Sequence, residues 1–457
     1  MVSKIINNIC CKIVALFLMS VLLGCNKILD EKPLKSLSVP ESIEDLQALL
    51  NFRLQMNNQS PELLELITDN YYTTTTFWQA ANMDERLNYI WAGNATSASS
   101  WNALYQKPIY YSNIVLDQIG KIVINNSDRI QGDYIRGTAL FYRAFAFYQL
   151  AQLYCKPFSA TSNSDLGIVL RLNSNINDKS KRSTVKETYD QIVRDFTEAS
   201  ELLPENVQFP SQPSRAAAYG ALARTYLCMG DYNNAKNFAD KCLKEVSVIL
   251  DYNIILDGDA PFGHFNDETI FYNYCEPYSY LLYGSRGKID STLYHSYHDN
   301  DLRKQLFFKE NPDGTYRFKG AYDGDYYSNL IFDGLTTAEM LLIRSECFAR
   351  EGDKDAALTD LNMLLRKRWK NNGSWNEITA ANADDAKSKI LDERRKELVY
   401  RGLRWTDIRR LNVEGANIAL KRIIGGVEYI LAPGDPRWVL LIPQDVIIHS
   451  GIAQNQR

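Results

Sequence analysis

The chain has 457 residues, 45% of them apolar and 23% charged, with a formal net charge of −4. That length is ample for a large core, and the mild acidity excludes a basic nucleic-acid surface. Lys/Arg and Asp/Glu are mixed along the chain rather than run together, which excludes a charged disordered tail.

Taken from its start, the chain opens on Lys4 and Lys12 followed by an apolar run from Ile13 to Leu23, too short to span a bilayer. This pattern predicts an export signal over residues 1–24. Leu22-Leu23-Gly24-Cys25 resembles a bacterial lipobox, in which the cysteine becomes the lipidated first residue of the mature protein. Asn26 follows it, and Asp30-Glu31 resembles the acidic patch that sends such lipoproteins to the cell surface. Residues 25–44 then read as a lipidated cysteine and tether. Without residues 1–24 the formal charge is −6. Of the eight cysteines, Cys155, Cys228, Cys242, Cys275 and Cys347 remain beyond Cys25, with no C-x-x-C spacing, so no disulfide framework holds this fold. Most sit in apolar helical patterns as small hydrophobes.

Residues 45–100 are rich in aromatic side chains. Tyr71, Tyr72, Phe77 and Trp78 surround a threonine run, with Trp91 beyond, and Asp69, Asn70, Arg86 and Asn88 lie among them. Flat aromatic faces stack on the C–H faces of sugar rings while amides and guanidinium groups bond the hydroxyls. Asn70, Tyr71, Tyr72, Trp78, Arg86 and Trp91 are therefore candidate ligand contacts.

From Trp101 the pattern turns helical. One helix is expected from Trp101 through Leu116, a second from Tyr134 to Tyr154 before Pro157, and a third from Thr188 to Leu203 before Pro204. Ser214 is placed to cap a fourth, Arg215 to Met229. The window Ala223 to Ala235 repeats as Ser345 to Ala357, 122 residues on, each with Gly-Asp closing one helix and an alanine packing the next. That is the logic of tetratricopeptide helix pairs, interrupted by long insertions.

One such insertion, 250–335, carries Tyr272, Tyr274, Tyr278, Tyr280 and Tyr283, then Tyr322, Tyr326 and Tyr327; Tyr278 and Tyr280 join the ligand candidates. His295 and His298 stand three apart, which on a helix would place both on one face, but the expectation is a solvated loop and no metal site. Asp257-Gly258-Asp259 and Asp323-Gly324-Asp325 offer oxygens to calcium without the twelve-residue loop, and Asp-Gly is first a turn. No cofactor is expected. No H-E-x-x-H, G-x-S-x-G or Walker A motif occurs, and no pair of carboxylates is singled out for glycosidase chemistry. The reading is of a binding protein, not an enzyme.

The stretch Ile390 to Leu411 reads as one helix with Leu391, Leu398, Trp405 and Ile408 on its apolar face. Its expected ion pairs are Asp392 with Lys396 and Glu397 with Arg401. Its basic side chains are expected to cover neighbouring segments.

The order Glu393-Arg394, Glu397-Leu398, Gly402, Arg404-Trp405, Asp407 and Arg409-Arg410 resembles the C-terminal signature of the SusD/RagB family, outer-membrane lipoproteins of Bacteroidetes. The likeness continues upstream in Trp101-x-x-Leu104-Tyr105 with Ile109 and Asn113, in Ala139-x-Phe141-x-Arg143-Ala144, in Arg182, Thr184, Val185 and Tyr189, and in Arg366-x-Arg368. Near the end it includes Leu441-Ile442-Pro443 and Gln454-Asn455. The resemblance implies a mainly α fold: tetratricopeptide-like helix pairs in a right-handed scaffold, packed with a loop-rich layer containing short strands. It implies a single domain over 45–457, with the scaffold mainly in 101–246 and 336–411 and ligand-facing loops in 45–100, 250–335 and 412–457. It also implies a surface lipoprotein, anchored in the outer membrane through lipid on Cys25, that captures an oligosaccharide or polysaccharide for a SusC-like TonB-dependent transporter. The alternatives are the same role for peptides, and a scaffold lipoprotein with no small ligand.

Overall fold

The structure, a computed structural model, describes residues 40–122, 128–275, 279–322, 324 and 330–457. The export signal, Cys25 and most of the tether lie outside the described residues, as do Tyr278, Asp323, Asp325, Tyr326 and Tyr327.

Helix ends follow local capping chemistry. Thr184 accepts the Glu187 N–H at 3.1 Å while the Glu187 carboxylate accepts the Thr184 N–H at 2.7 Å, opening the helix Val185–Leu202. Two donors that no intrahelical carbonyl can reach are thereby satisfied. Ser214 caps Arg215–Met229 by accepting the Ala217 N–H. The repeated windows fold alike. Gly230 (φ 76°) and Gly352 (φ 90°) take the left-handed turn that a side chain resists. Asp231 and Asp353 then donate their N–H back to the Tyr226 and Phe348 carbonyls at 3.0 and 2.9 Å. Their carboxylates cap the next helices, Tyr232–Glu245 and Lys354–Arg366, and Ala235 and Ala357 are fully buried where the paired helices meet.

The helices stack in series. Arg129–Tyr154 packs against Tyr110–Ile119 and Val185–Leu202, which meets Arg215–Met229. The Tyr232–Glu245 partner of that helix packs on Thr337–Arg350, which is flanked by Lys354–Arg366 and Ala383–Glu397. The strands between and around them are short antiparallel pairs: Tyr71–Tyr72 with Lys288–Ile289, Thr269–Phe271 with Leu335–Thr336, and Leu420–Ile424 with Val427–Leu431 among them. The fold is mainly α with a loop-rich layer, and Ser42–Arg457 forms one compact unit.

Two expected helices are interrupted. The first is divided into Ala98–Leu104 and Tyr110–Ile119 by a wider turn, Tyr105–Ile109, that contains Pro108. Proline has no N–H for the regular ladder, so the chain widens around it. The second, Ile390 to Leu411, is two helices, Ala383–Glu397 and Arg404–Val413, separated by a turn with Tyr400 (φ 57°) and Gly402 (φ 65°). In one straight helix Arg394 and Asp407 would stand about 20 Å apart. Here their side chains meet at 2.9 Å. The ion pairs also differ from expectation: Lys396 pairs with Glu393, and Glu397 is taken by Arg303 at 3.1 Å and Arg368 at 2.8 Å. Arg401 instead lies 3.7 Å from the centre of the Tyr322 ring.

Buried arginine–carboxylate pairs join the helices. Arg143 holds Asp195 with two bonds of 2.8 and 2.9 Å, Arg224 holds Glu339 at 2.8 and 2.7 Å, and Arg410 holds Glu346 at 2.7 and 2.8 Å. Removing one partner strands the other charge in the interior. Arg224→Ala is expected to cost about 3–5 kcal/mol, whereas a double replacement of Arg224 and Glu339 by leucine-sized apolar residues recovers part of the loss, the Asp333 and Gly334 carbonyls still lacking their Arg224 donors. Denaturant unfolding of the single and double variants checks this.

Candidate functional site

The aromatic segment 62–91 is divided by strand alternation. Tyr71 pairs with Ile289 and Tyr72 with Lys288, so Tyr71 points inward, 1% exposed, and Tyr72 outward, 37% exposed. The Arg422 guanidinium fills the space beneath, 4.0 Å from the Tyr89 ring centre, 5.1 Å from Tyr71 and 5.3 Å from Trp91, and donates to the Thr68 and Tyr71 carbonyls. Trp91 donates its ring N–H to the Ile67 carbonyl at 3.0 Å, and Asn70 donates to Glu65 at 2.8 Å. Asn70, Tyr71 and Trp91 are thus core residues whose faces and amide are covered by protein. As ligand contacts they are corrected: alternation and Arg422 turn them away from solvent.

Beneath this floor, burial pushes the Glu65 carboxyl up to about 7 despite hydrogen bonds from Asn70, the Gly402 N–H and Thr68. Its neighbour Asp69 differs. Burial opposes its charge too, but Arg404, bonded at 2.8 Å to each oxygen, and Arg395 outweigh that and hold it down to about 2. The 62–70 segment is thereby fastened to the C-terminal helices.

Of the remaining described candidates, Tyr72 is exposed and Trp78, Arg86 and Tyr280 are half-buried. Thr74 and Asn82 cap two short helices, Thr75–Ala80 and Met83–Tyr89. These bring half-buried Trp78 against Arg86: the indole N–H donates to the Arg86 carbonyl at 3.1 Å, and the guanidinium lies 5.3 Å from the ring centre. On the 279–289 loop, the Arg286 guanidinium sits 4.0 Å from the Tyr280 ring centre and 4.7 Å from that of Tyr283, which is 48% exposed. The loop is tied to the first segment by the strand pair and by N–H donation from Ser279 to Glu62 at 2.9 Å and from Leu281 to Glu85 at 3.4 Å. Tyr72, Trp78, Arg86, Tyr280, Tyr283 and Arg286 therefore belong to one connected pair of segments. Arg286 was missed by sequence reasoning, although the Tyr280-x-x-Tyr283-x-x-Arg286 spacing was a signal. Tyr272, Tyr274 and Tyr322 are core residues.

The other candidate ligands take ordinary partners. The helix Ser291–His295 ends before His298, whose ring accepts the Asn300 N–H and stacks on Trp369. Asp257 pairs with Lys319 at 2.6 Å and Asp259 with Lys309. Among the described residues no group of three His, Cys, Asp or Glu side chains is placed to hold a metal ion. Aromatic faces beside guanidinium donors suit a flat, hydroxyl-bearing ligand.

A family profile described as starch-binding and associating with the outer membrane matches residues 27–227, and a SusD family profile matches residues 321–429. The SusD-like protein P2 of Formosa agariphila is 23% identical over 473 aligned positions, covering 88% of this chain and 90% of its own. A SusD superfamily protein of Bacteroides thetaiotaomicron has a similar structure, with a TM-score of 0.74 and 22% identity over 91% of this chain and 100% of its own. A SusD-like carbohydrate-binding protein of Bacteroides vulgatus gives 0.69 and 19%, over 90% of this chain and 97% of its own. At these identities the structural likeness is one of fold.

The buried Glu65 has a measurable consequence. Folded, it keeps its proton up to about pH 7; unfolded, it ionises near its ordinary value of 4.5. The folded state binds the extra proton between those values, so this contribution to stability is whole below about 4.5 and is lost as pH rises through about 7. Glu65→Gln is expected to stabilise the protein by up to about 3 kcal/mol above pH 7 and to change little near pH 4. Denaturant midpoints of both proteins at the two pH values check it.

Proposed function

We propose that this chain, which belongs to the SusD family, is a cell-surface lipoprotein that binds an oligosaccharide or polysaccharide and passes it to a SusC-like TonB-dependent transporter. The observation that carries the sugar reading is the set of half-buried or exposed aromatic rings, each beside a guanidinium: Trp78 with Arg86, and Tyr280 and Tyr283 with Arg286. Ring faces stack on sugar C–H groups, and planar guanidinium donors reach the hydroxyls without rearranging. The starch-binding description of the profile over 27–227 and the carbohydrate-binding relative support a sugar as ligand.

Among the described residues no helix is long and apolar enough to cross a membrane. In this reading lipid on Cys25 attaches the protein to the outer membrane; each buried CH₂ contributes about 0.8 kcal/mol, so several acyl chains hold durably. The helix stack supplies the transporter contact and the loop layer the ligand contact. Modest affinity suffices, because anchoring protein and pore together raises the effective concentration of a bound glycan. The same family assignment supports binding rather than catalysis.

Trp78→Ala is expected to weaken glycan binding by at least about tenfold, with smaller losses for Tyr280→Ala and Tyr283→Ala, while cooperative melting persists. Affinity electrophoresis of the chain lacking its first 25 residues, through a panel of polysaccharides, tests this. Retention of full affinity by all three folded variants would remove the aromatic face as the binding site.

A further inference from the structure

The chain contains one Asn-Gly pair, Asn372-Gly373, on the exposed bend that follows Trp369. Gly373 takes a left-handed φ of 77°, and a side chain built on it would meet nothing within 4 Å. No acceptor among the described residues meets its N–H. The nitrogen next to the Asn372 side chain is therefore unshielded, and solvent hydroxide can take its proton.

The Asn372 amide, by contrast, is held. Its Oδ1 accepts the Ser374 N–H at 3.1 Å and the Ser374 hydroxyl at 2.5 Å. Its Nδ2 donates to Asn300 Oδ1 at 3.2 Å. The direction of the Ser374 hydroxyl follows from its other partners. Trp369 donates its ring N–H to Ser374 Oγ at 2.9 Å, and the Asn300 amide donates to the same oxygen at 3.0 Å. Both lone pairs of that oxygen are occupied, so its single hydrogen goes to Asn372. Trp369 is itself braced by the His298 ring stacked on it, with 4.7 Å between centres. Two positioned donors thus converge on the side-chain carbonyl oxygen of Asn372, as donors do around an oxyanion.

We propose that Asn372 is a site of self-modification, converted to aspartate and isoaspartate in the folded protein with Ser374 stabilising the oxyanion. The Gly373 nitrogen, having lost its proton to hydroxide, bonds to Asn372 Cγ, and the carbonyl electron pair moves onto Oδ1. There it lies between the two Ser374 donors. The pair returns as the Cγ–Nδ2 bond breaks, and the departing nitrogen takes a proton from water and leaves as ammonia. Water then opens the succinimide at either carbonyl, giving aspartate, or isoaspartate with the main chain rerouted through the side chain. No oxidant, reductant or cofactor enters. Either product replaces the amide donor that faces Asn300 Oδ1 with a carboxylate, which removes that bond and adds a negative charge to the bend.

The test follows tryptic peptides by mass spectrometry, using the full mature chain kept folded in detergent at mildly alkaline pH. A free peptide spanning residues 368–377 is the reference, because it has the same sequence without the organised donors. Asn372 is expected to convert at least about tenfold faster in the folded protein than in the peptide. Asn376, which precedes Glu377 on the same loop, is the internal control and is expected to persist. Ser374→Ala is expected to bring the rate down to that of the peptide, and Ser374→Thr, which keeps the hydroxyl, to preserve it. A folded rate equal to or below that of the peptide overturns the proposal. So does conversion of Asn376 as fast as Asn372, or a rate that Ser374→Ala leaves unchanged.

Discussion

Charge buried in pairs is the constraint on which the rest of this molecule depends. An interior arginine brings five donors and a full charge, and most here are met by a carboxylate or several carbonyls. The pairs Arg143–Asp195, Arg224–Glu339, Arg410–Glu346 and Arg368–Glu268 join residues 52 to 115 positions apart. Desolvation offsets much of their attraction, so their net contribution to stability is small. What they impose is exclusivity. A helix packed against the wrong neighbour would leave an unpaired charge in a dry interior, at a cost of several kcal/mol.

The loop layer inherits its order from that framework. Its strands are mostly two or three residues long, too short to hold a sheet on their own. Arg404 and Arg395 fasten Asp69, Arg422 fills the floor beneath Tyr71, Tyr89 and Trp91, and Arg368 ties Glu268 to Glu397. Half-buried residues such as Trp78, on a short helix, and Tyr280, on a loop, are therefore carried on segments held still by buried charge. That is how residues outside the helix stack keep a fixed geometry. The turn at Gly402 belongs to the same arrangement: it lets Arg394 and Arg410 converge on Asp407 from two helices while Arg404 reaches Asp69.

Inward and outward members of the aromatic segment have different work. Tyr71 and Trp91 make the floor; Tyr72 and Tyr283 are exposed, and Trp78 and Tyr280 are half-buried.

Local signals in the sequence determined much of the helical frame. Ser214, the Thr184/Glu187 box and the repeated Gly-Asp turns act within a few residues, so their effects are legible without tertiary information. The ordered set of motifs likewise carried the family and the mainly α class. Pro108 and Gly402 were visible as residues; the widened turn at Pro108 is a local effect, whereas at Gly402 the turn brings Arg394 to Asp407 and Arg404 to Asp69. Which tyrosines face solvent was not legible at all, because a strand of two residues shows no periodicity and its register is set by Lys288 and Ile289 across the pair. Arg422, 351 residues beyond Tyr71, decided that Tyr71 and Trp91 are covered. Sequence therefore determines what short-range hydrogen bonding and periodicity can specify. Tertiary structure decided which aromatic rings are covered and which reach solvent, because desolvated charge finds its partner through space.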